Sequence, residues 1–304
     1  MGTCDASAAV PLKDKKFVVA GDEINVLQIY DWNKPGEGKS IDLSRIVPGV
    51  KKKTELDIEG ATRAGDITYW ISSHSRSKKK GQLKEERQIL FALNFRNEKP
   101  TLVGKPCKTL LKELVEHELY KTHDLEDFSK RYDSERAAES AKGFNIEGLS
   151  TWKDGQILIG LRGPLSGNHS ILIPLKNPFE VVNGKKPEFG EMLKLDLGGS
   201  GIRGIEYVPA LKRYIILVES LNNKNPSSIY LWSGEREDTK PKPVAHPAFE
   251  DRFCPETVIA FPDSKSIIIL SDDGNQRYNG KMCKNLEKEG KQVFFRACEI
   301  KLED

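Results

Sequence analysis

A chain of 304 residues, 31% charged and 38% hydrophobic, is long enough to bury a substantial core and polar enough to carry a solvated surface. Its 48 basic and 45 acidic residues nearly cancel to a net charge of +3, which excludes a protein built on bulk charge to hold nucleic acid or an anionic membrane. No run approaches the roughly 20 apolar residues of a membrane-spanning helix.

The five cysteines (Cys4, Cys107, Cys254, Cys283 and Cys298) are scattered, odd in number and without a C-x-x-C pair. With no apolar signal-peptide core near the N-terminus, they point to reduced thiols in a cytoplasmic protein. Cys283–Cys298 is the one bridge considered.

Residues 1–14 are small and polar, and the expectation is a flexible or lightly attached terminus. Two β-rich runs follow, Phe17–Ala20 and Val26–Tyr30, around Gly21-Asp22-Glu23. A third, Ile41–Leu43, comes after the turn-rich residues 33–36. The next unit begins at Glu59, with strands expected over Ile67–Ser72, Gln88–Leu93 and Thr101–Val103. Between the first two lies a polar, basic loop from Ser73 to Lys80, whose lysines 78–80 read as a solvated hairpin tip.

Residues 107–142 break this pattern. Leu110, Leu111, Leu114, Val115 and Leu119 recur at helical spacing, and Leu125, Phe128 and Tyr132 continue it after Asp124, a plausible N-cap. A two-helix insertion is expected, either packed on the surface or lying as a lid over one face. Strand chemistry resumes at Glu147, with runs over Gln156–Leu161, His169–Leu175 and Met192–Leu197. Tyr214–Val218 and Ile229–Trp232 follow, then Ser266–Leu270 and Val293–Cys298.

The central runs start near residues 17, 67, 156, 214 and 266, about 50 to 60 residues apart once the insertion is removed. Strand-only units at that period predict an all-β chain folded as a β-propeller, five-bladed with six as the alternative, over residues 15–304. The first unit lacks a clear inner strand and the last a clear outer one, as if the chain ends completed a shared blade.

Asp57-Ile58-Glu59-Gly60 is echoed by Asn145-Ile146-Glu147-Gly148, and more weakly by Gly204-Ile205-Glu206 and Cys254-Pro255-Glu256. Side chains two apart on a strand share a face, so Asp57 points with Glu59 and Asn145 with Glu147. If the inner strand of each blade lines the channel, Glu59, Glu147, Glu206 and Glu256 form one ring. Such a ring needs a cation, bound protons or interleaved arginines. Arg63, Arg162 and Arg203 are the arginines at hand, and Glu219 follows a central strand. An all-oxygen set including Asp272 suits Ca2+ or Mg2+; zinc has no His/Cys pair of suitable spacing. The alternative is architectural, with the glutamates bonded to amides and arginines of neighbouring blades. Ser271-Asp272-Asp273-Gly274-Asn275 departs from the EF-hand spacing and reads as a strand-ending turn. No catalytic triad, nucleophile elbow or phosphate loop is present; Glu59, His74 and Glu147 are the candidates for acid–base work.

The stretches DIEGATRAGDITYWISSHSR, GFNIEGLSTWKDGQILIGLRGPL, DLGGSGIRGIEY, PETVIAF and LSDDG resemble, in order, the motifs of the mainly bacterial DUF 3616 family, over roughly residues 17–300. That resemblance implies a propeller-like fold and no established reaction. More distantly, the Glu-Gly openings resemble those of phytase-like esterase propellers. That likeness implies Glu59, Glu147, Glu206 and Glu256 as metal or substrate ligands, with Arg162, Arg203 and His74 toward anionic oxygens. The function expected is a metal-assisted phosphoesterase or esterase-like hydrolase, acting as a monomer on a small anionic ligand. The alternative is a non-catalytic propeller that captures a ligand or a protein partner.

Overall fold

The computed structural model describes residues 2–302 apart from residues 35, 53, 97, 221–226, 247–248 and 250–251; Pro35 of the expected turn at 33–36 lies outside the described residues. The first sheet is β1 (Ala8–Pro11), β2 (Lys16–Ala20), β3 (Val26–Asp31) and β4 (Lys39–Asp42). The second is β5 (Ile58–Ala64), β6 (Ile67–Ser72), β7 (Leu90–Arg96) and β8 (Lys99–Cys107). Helix α1 (Leu110–Glu116) precedes the third, β9 (Asn145–Thr151), β10 (Ile157–Gly163), β11 (Ser170–Leu175) and, after α2 (Pro178–Val182), β12 (Leu193–Leu195). The fourth is β13 (Ser200–Val208), β14 (Arg213–Ser220), β15 (Ser228–Trp232) and β16 (Lys242–Pro243). The fifth joins β17 (Pro255–Ala260), β18 (Ser266–Ser271) and β21 (Ala297–Lys301), with the β19–β20 hairpin (Arg277–Tyr278, Lys281–Met282) and α3 (Cys283–Lys288) between the last two.

Each sheet is an antiparallel meander, and the first strands of the five sheets neighbour one another in sequence order, with β17 returning to β1. This is a closed five-bladed propeller. The middle strands explain why. In β6, Tyr69 and Ile71 pack toward the third blade while Trp70 packs toward the first, because successive side chains leave a strand on opposite faces. Both faces are apolar, so each sheet buries itself twice, and five separate cores fill the five gaps between blades. Each fully buried Ile or Leu in them contributes about 1.5–3 kcal/mol.

Five expectations are corrected. The N-terminus is not lightly attached: Thr3 to Val10 are buried, and β1 supplies the inner strand of the first blade. No blade is shared between the chain ends; the ring closes instead where β1 meets β17, and Cys4 is joined to Cys283 by a disulfide. That pairing replaces the Cys283–Cys298 bridge of the sequence reading, while Cys107, Cys254 and Cys298 remain thiols. The insertion holds one α-helix among its described residues. His117 turns extended after α1, so Leu119 is exposed and Tyr120 is buried against Phe189, its hydroxyl donating to the Gly190 carbonyl. Asp124 is left-handed (φ 46°) and closes the 3-10 turn Lys121–His123 rather than opening a second helix. The fully buried Arg76 guanidinium fixes this segment by donating to Glu126 and to the carbonyls of Asp127, Lys130 and Arg131. Finally, the last strand begins at Ala297 rather than Val293, because the Arg296 N–H is taken by Ser271 Oγ and Asp273 Oδ2.

Candidate carboxylate–arginine site at the channel mouth

Four of the five inner strands carry a bulged residue near the start, β1 being the exception: register breaks fall at Glu59, Glu147, Arg203 and Glu256. These four occupy equivalent places and line one small chamber of about 50 Å³ at the mouth of the channel. The glycine after the bulge explains the motif. A Cβ on Gly60 would lie 2.8 Å from Ile71 Cγ2 and 3.1 Å from Leu149 Cβ, so glycine lets neighbouring inner strands close up.

Blades two to four therefore share Ile-x-Gly, with Pro255-Glu256-Thr257 at the same place in the fifth, and in the fourth blade x is Arg203, not a glutamate. Glu206 lies three residues further along β13, about 10 Å away at strand rise. There it is buried and accepts from the Ala260 N–H, and burial raises its carboxyl well above the usual range. The four-glutamate ring is thus corrected to three glutamates and an arginine.

Arg203 and Arg162 neutralise one half of the mouth. Arg162 Nη1 donates to Glu147 Oε1 at 3.0 Å and its Nη2 to Glu219 Oε2 at 3.2 Å. Arg203 Nη1 lies 3.0 Å from Glu147 Oε2 and 3.6 Å from Glu219 Oε2, and its Nη2 meets Glu256. Burial alone would depress the Arg203 guanidinium, but the charges of Glu147 and Glu219 outweigh it and keep it protonated.

The other half is acidic. Asp5, Asp22, Asp57 and Glu59 line it, with Lys78 and Arg87 the only cations beside them among the described residues. Arg87 serves Asp57 at 2.9 Å and also Glu55, while Ser73 and Ser75 donate to Asp57 Oδ2. Carboxylate oxygens of Asp22, Asp57 and Glu59 all lie within 4.8 Å of one another. Two unit charges at that separation repel by about 3–4 kcal/mol at an effective dielectric of about 20. Without a counter-ion the cluster responds by holding protons. Burial, then the charges of Asp57 and Glu147, raises Glu59 well above the carboxylate range. Burial raises Asp22 to about 7 although Asp5 donates a hydrogen bond to it. Asp5 is raised further by burial and by the Asp22 and Asp272 charges.

The residues fit a hard cation. Oxygens sharing one Ca2+ at about 2.3–2.6 Å stand at most about 5 Å apart. Asp22 Oδ1 and Glu59 Oε2 are buried with no hydrogen-bond partner among the described residues. So is Asn145 Oδ1, whose amide is oriented by Nδ2 donating to Glu147 Oε1 at 2.7 Å. Asn145 precedes Glu147 by two residues as Asp57 precedes Glu59, which sets its carbonyl at the height of the Asp57 carboxylate. Cys254, Glu256 and Asp272 form a second close group, but Glu256 there is already committed to Arg203.

Other sequence candidates lie elsewhere. Arg63 is at the far end of β5, donating to the carbonyls of Pro11 (3.1 Å) and Gly65 (2.7 Å). With Glu206 it lines a separate cavity of about 760 Å³; this is larger than the chamber, but the carboxylate chemistry is not in it. His74 is 1% exposed with φ 54°, and its Nδ1 lies 2.8 Å from the Ser72 carbonyl, to which the neutral ring donates. Burial lowers this imidazole to about 4. Asp272 lines the chamber and closes a turn by accepting from the Gly274 N–H at 2.7 Å. Ala138 and Glu139 also line the chamber, so the insertion reaches the mouth.

Asp5 and Asp22 are the residues sequence reasoning left out, and Asn145, placed there on one face with Glu147, had no ligand role. Asp22 follows the middle strand of its blade as Asp272 follows its own, which is a readable signal. Asp5 sits in the segment taken for a loose terminus and had none.

The backbone is similar to that of a glutaminyl cyclase from Myxococcus xanthus, at 11% identity over 88% of this chain and 87% of that one, with a TM-score of 0.44. It is also similar to a chain of a nidogen/laminin complex (9%, 88% and 72%, TM-score 0.42) and to streptogramin B lyase (9%, 100% and 86%, TM-score 0.41). Likeness at this level carries nothing about activity. No match is found among curated proteins. The family model described as "protein of unknown function (DUF3616)" matches residues 5–94 and 112–253, and the chain belongs to that family.

Proposed function

We propose that this propeller binds one hard divalent cation, Ca2+ or Mg2+, in the acidic half of its channel mouth, and engages a small anionic ligand through it. The observation that carries this is the Asp22–Asp57–Glu59 cluster, with ligand oxygens within 4.8 Å and two of them buried and unbonded. Asn145 Oδ1 is the neutral oxygen available to the same ion. When bound, such a cation supplies polarisation of an ester or phosphoryl oxygen and a water of lowered pKa, the chemistry of a phosphoesterase or esterase. The chain's part is to hold the acidic half open to the ion. Arg162 and Arg203 tie back Glu147, Glu219 and Glu256, and Arg87 with Ser73 and Ser75 fixes Asp57.

A second reading, a non-catalytic ligand- or protein-binding propeller, is favoured by one observation. The chamber of about 50 Å³ admits an ion and water, and both arginines are engaged by carboxylates. The buried Cys4–Cys283 disulfide supports an oxidising compartment rather than the cytoplasm.

The test is a chelator-stripped protein given Ca2+ or Mg2+ and assayed by melting and by hydrolysis of p-nitrophenyl phosphate and acetate. Cation at about 100 times its Kd contributes about 2.7 kcal/mol, or about 4 °C for a chain this long. A midpoint indifferent to both ions sinks the proposal; a raised midpoint without turnover selects the second reading.

A further inference from the structure

This inference rests on the cation site proposed above and concerns what governs it. Asp5 directly follows Cys4, lines the acidic half of the chamber and is 6% exposed. It precedes β1, in a segment that reaches across from the fifth blade to the first. Asp5 bridges to Asp272, the Asp273 N–H donates to the Cys4 carbonyl at 2.9 Å, and the Ala6 N–H donates to the Ser271 carbonyl at 3.3 Å. The covalent tie in this crossing is the disulfide to Cys283, which joins residues 279 apart in sequence beneath Val293, Tyr278 and Leu286.

We propose that the Cys4–Cys283 disulfide sets the cation affinity of the chamber by holding Asp5 in it, so that the site is complete only in the oxidised chain. Forming the S–S bond removes two electrons and two protons from the two thiols, and a small disulfide oxidant takes both and leaves as a dithiol. A dithiol reductant reverses the step and returns two Sγ–H groups. Without the bond, residues 2–7 keep their hydrogen bonds to the fifth blade, the Ser7 hydroxyl on Asp5 Oδ1 and the packing of Ala6 between the first and fifth blades, but they lose their covalent anchor, and the Asp5 carboxylate spends less time among Asp22, Asp57 and Glu59. Affinity for a hard cation follows the number and rigidity of its anionic oxygens, so about tenfold weaker binding is expected.

The experiment is a calorimetric Ca2+ titration of the full chain in four forms: oxidised, reduced by a dithiol and held anaerobically, Cys4→Ser/Cys283→Ser, and Asp5→Asn with the disulfide intact. Thiol counting after unfolding reports the state, three thiols when oxidised and five when reduced. The proposal expects the last three forms to bind about tenfold or more weaker than the first. Equal affinity in oxidised and reduced protein overturns it while leaving the cation site standing. Failure of the oxidised protein to bind Ca2+ sinks the underlying cation reading instead. Should the disulfide-free forms not stay folded by circular dichroism, Asp5→Asn decides, and unchanged affinity there overturns the proposal.

Discussion

Replacing Arg203 with Met tests the electrostatic layout of the mouth most sharply. The guanidinium is buried and lies against Glu147, Glu219 and Glu256. Met keeps most of the apolar stem and removes the charge. Breaking a buried pair by deleting one partner costs about 3–5 kcal/mol, because the other partner is left buried and uncompensated. Here Glu256 loses its cation and Glu147 keeps only Arg162, beside an already acidic half, so the upper part of that range applies. With an unfolding entropy of about 0.64 kcal/mol/K for 304 residues, the midpoint should fall by about 6–8 °C in chelator. Added Ca2+ should recover more of the loss in the variant than it adds to the wild type. Differential scanning calorimetry with and without chelator reads both effects. A variant melting within 1 °C of the wild type in chelator would refute the account of a charge-balanced ring.

His74 gives a pH test away from the ligands. Its folded value, about 4, lies below the ordinary 6.5, so the native state disfavours the proton. The contribution is intact above about pH 6.5 and is lost as pH falls toward 4, to a limit of about 3 kcal/mol. Against His74→Asn, wild-type urea stability should lose about 2–3 kcal/mol between pH 7 and 4.5; a difference unchanged over that span contradicts the buried neutral imidazole. Glu206 has the opposite sign. Its carboxyl is raised by burial, so its favourable contribution is present below about pH 4.5 and is lost as pH rises through the raised value. Glu206→Gln should therefore gain on the wild type as pH is raised from 4.5 to 8, and a variant that falls behind would contradict the placement.

The blade count was legible because middle strands of a propeller are buried on both faces. Runs such as Ile67–Ser72 and Ser266–Ser271 are buried from their second residue on and carry apolar side chains on both faces, unlike half-exposed strands. The register of the site was less legible because the eye follows the charged residue. Aligning on Glu places Glu206 beside Glu59; aligning on the glycine that lets inner strands approach, as at Gly60, places Arg203 there instead. The insertion misled for a different reason. Its leucines keep helical spacing, but the buried Arg76 collects the carbonyls of Asp127, Lys130 and Arg131 and so competes with helix hydrogen bonding. The terminus misled because short runs of Ala, Ser and Asp carry no strand signal until a closed ring gives them neighbours.

The most direct measurement is a calorimetric Ca2+ titration of chelator-stripped, oxidised protein beside Glu59→Gln and Glu206→Gln. The account predicts one saturable site in the wild type, at least tenfold weaker in Glu59→Gln and unaltered in Glu206→Gln, whose side chain stands at the other end of the channel. No saturable binding, or equal loss in both variants, would contradict it.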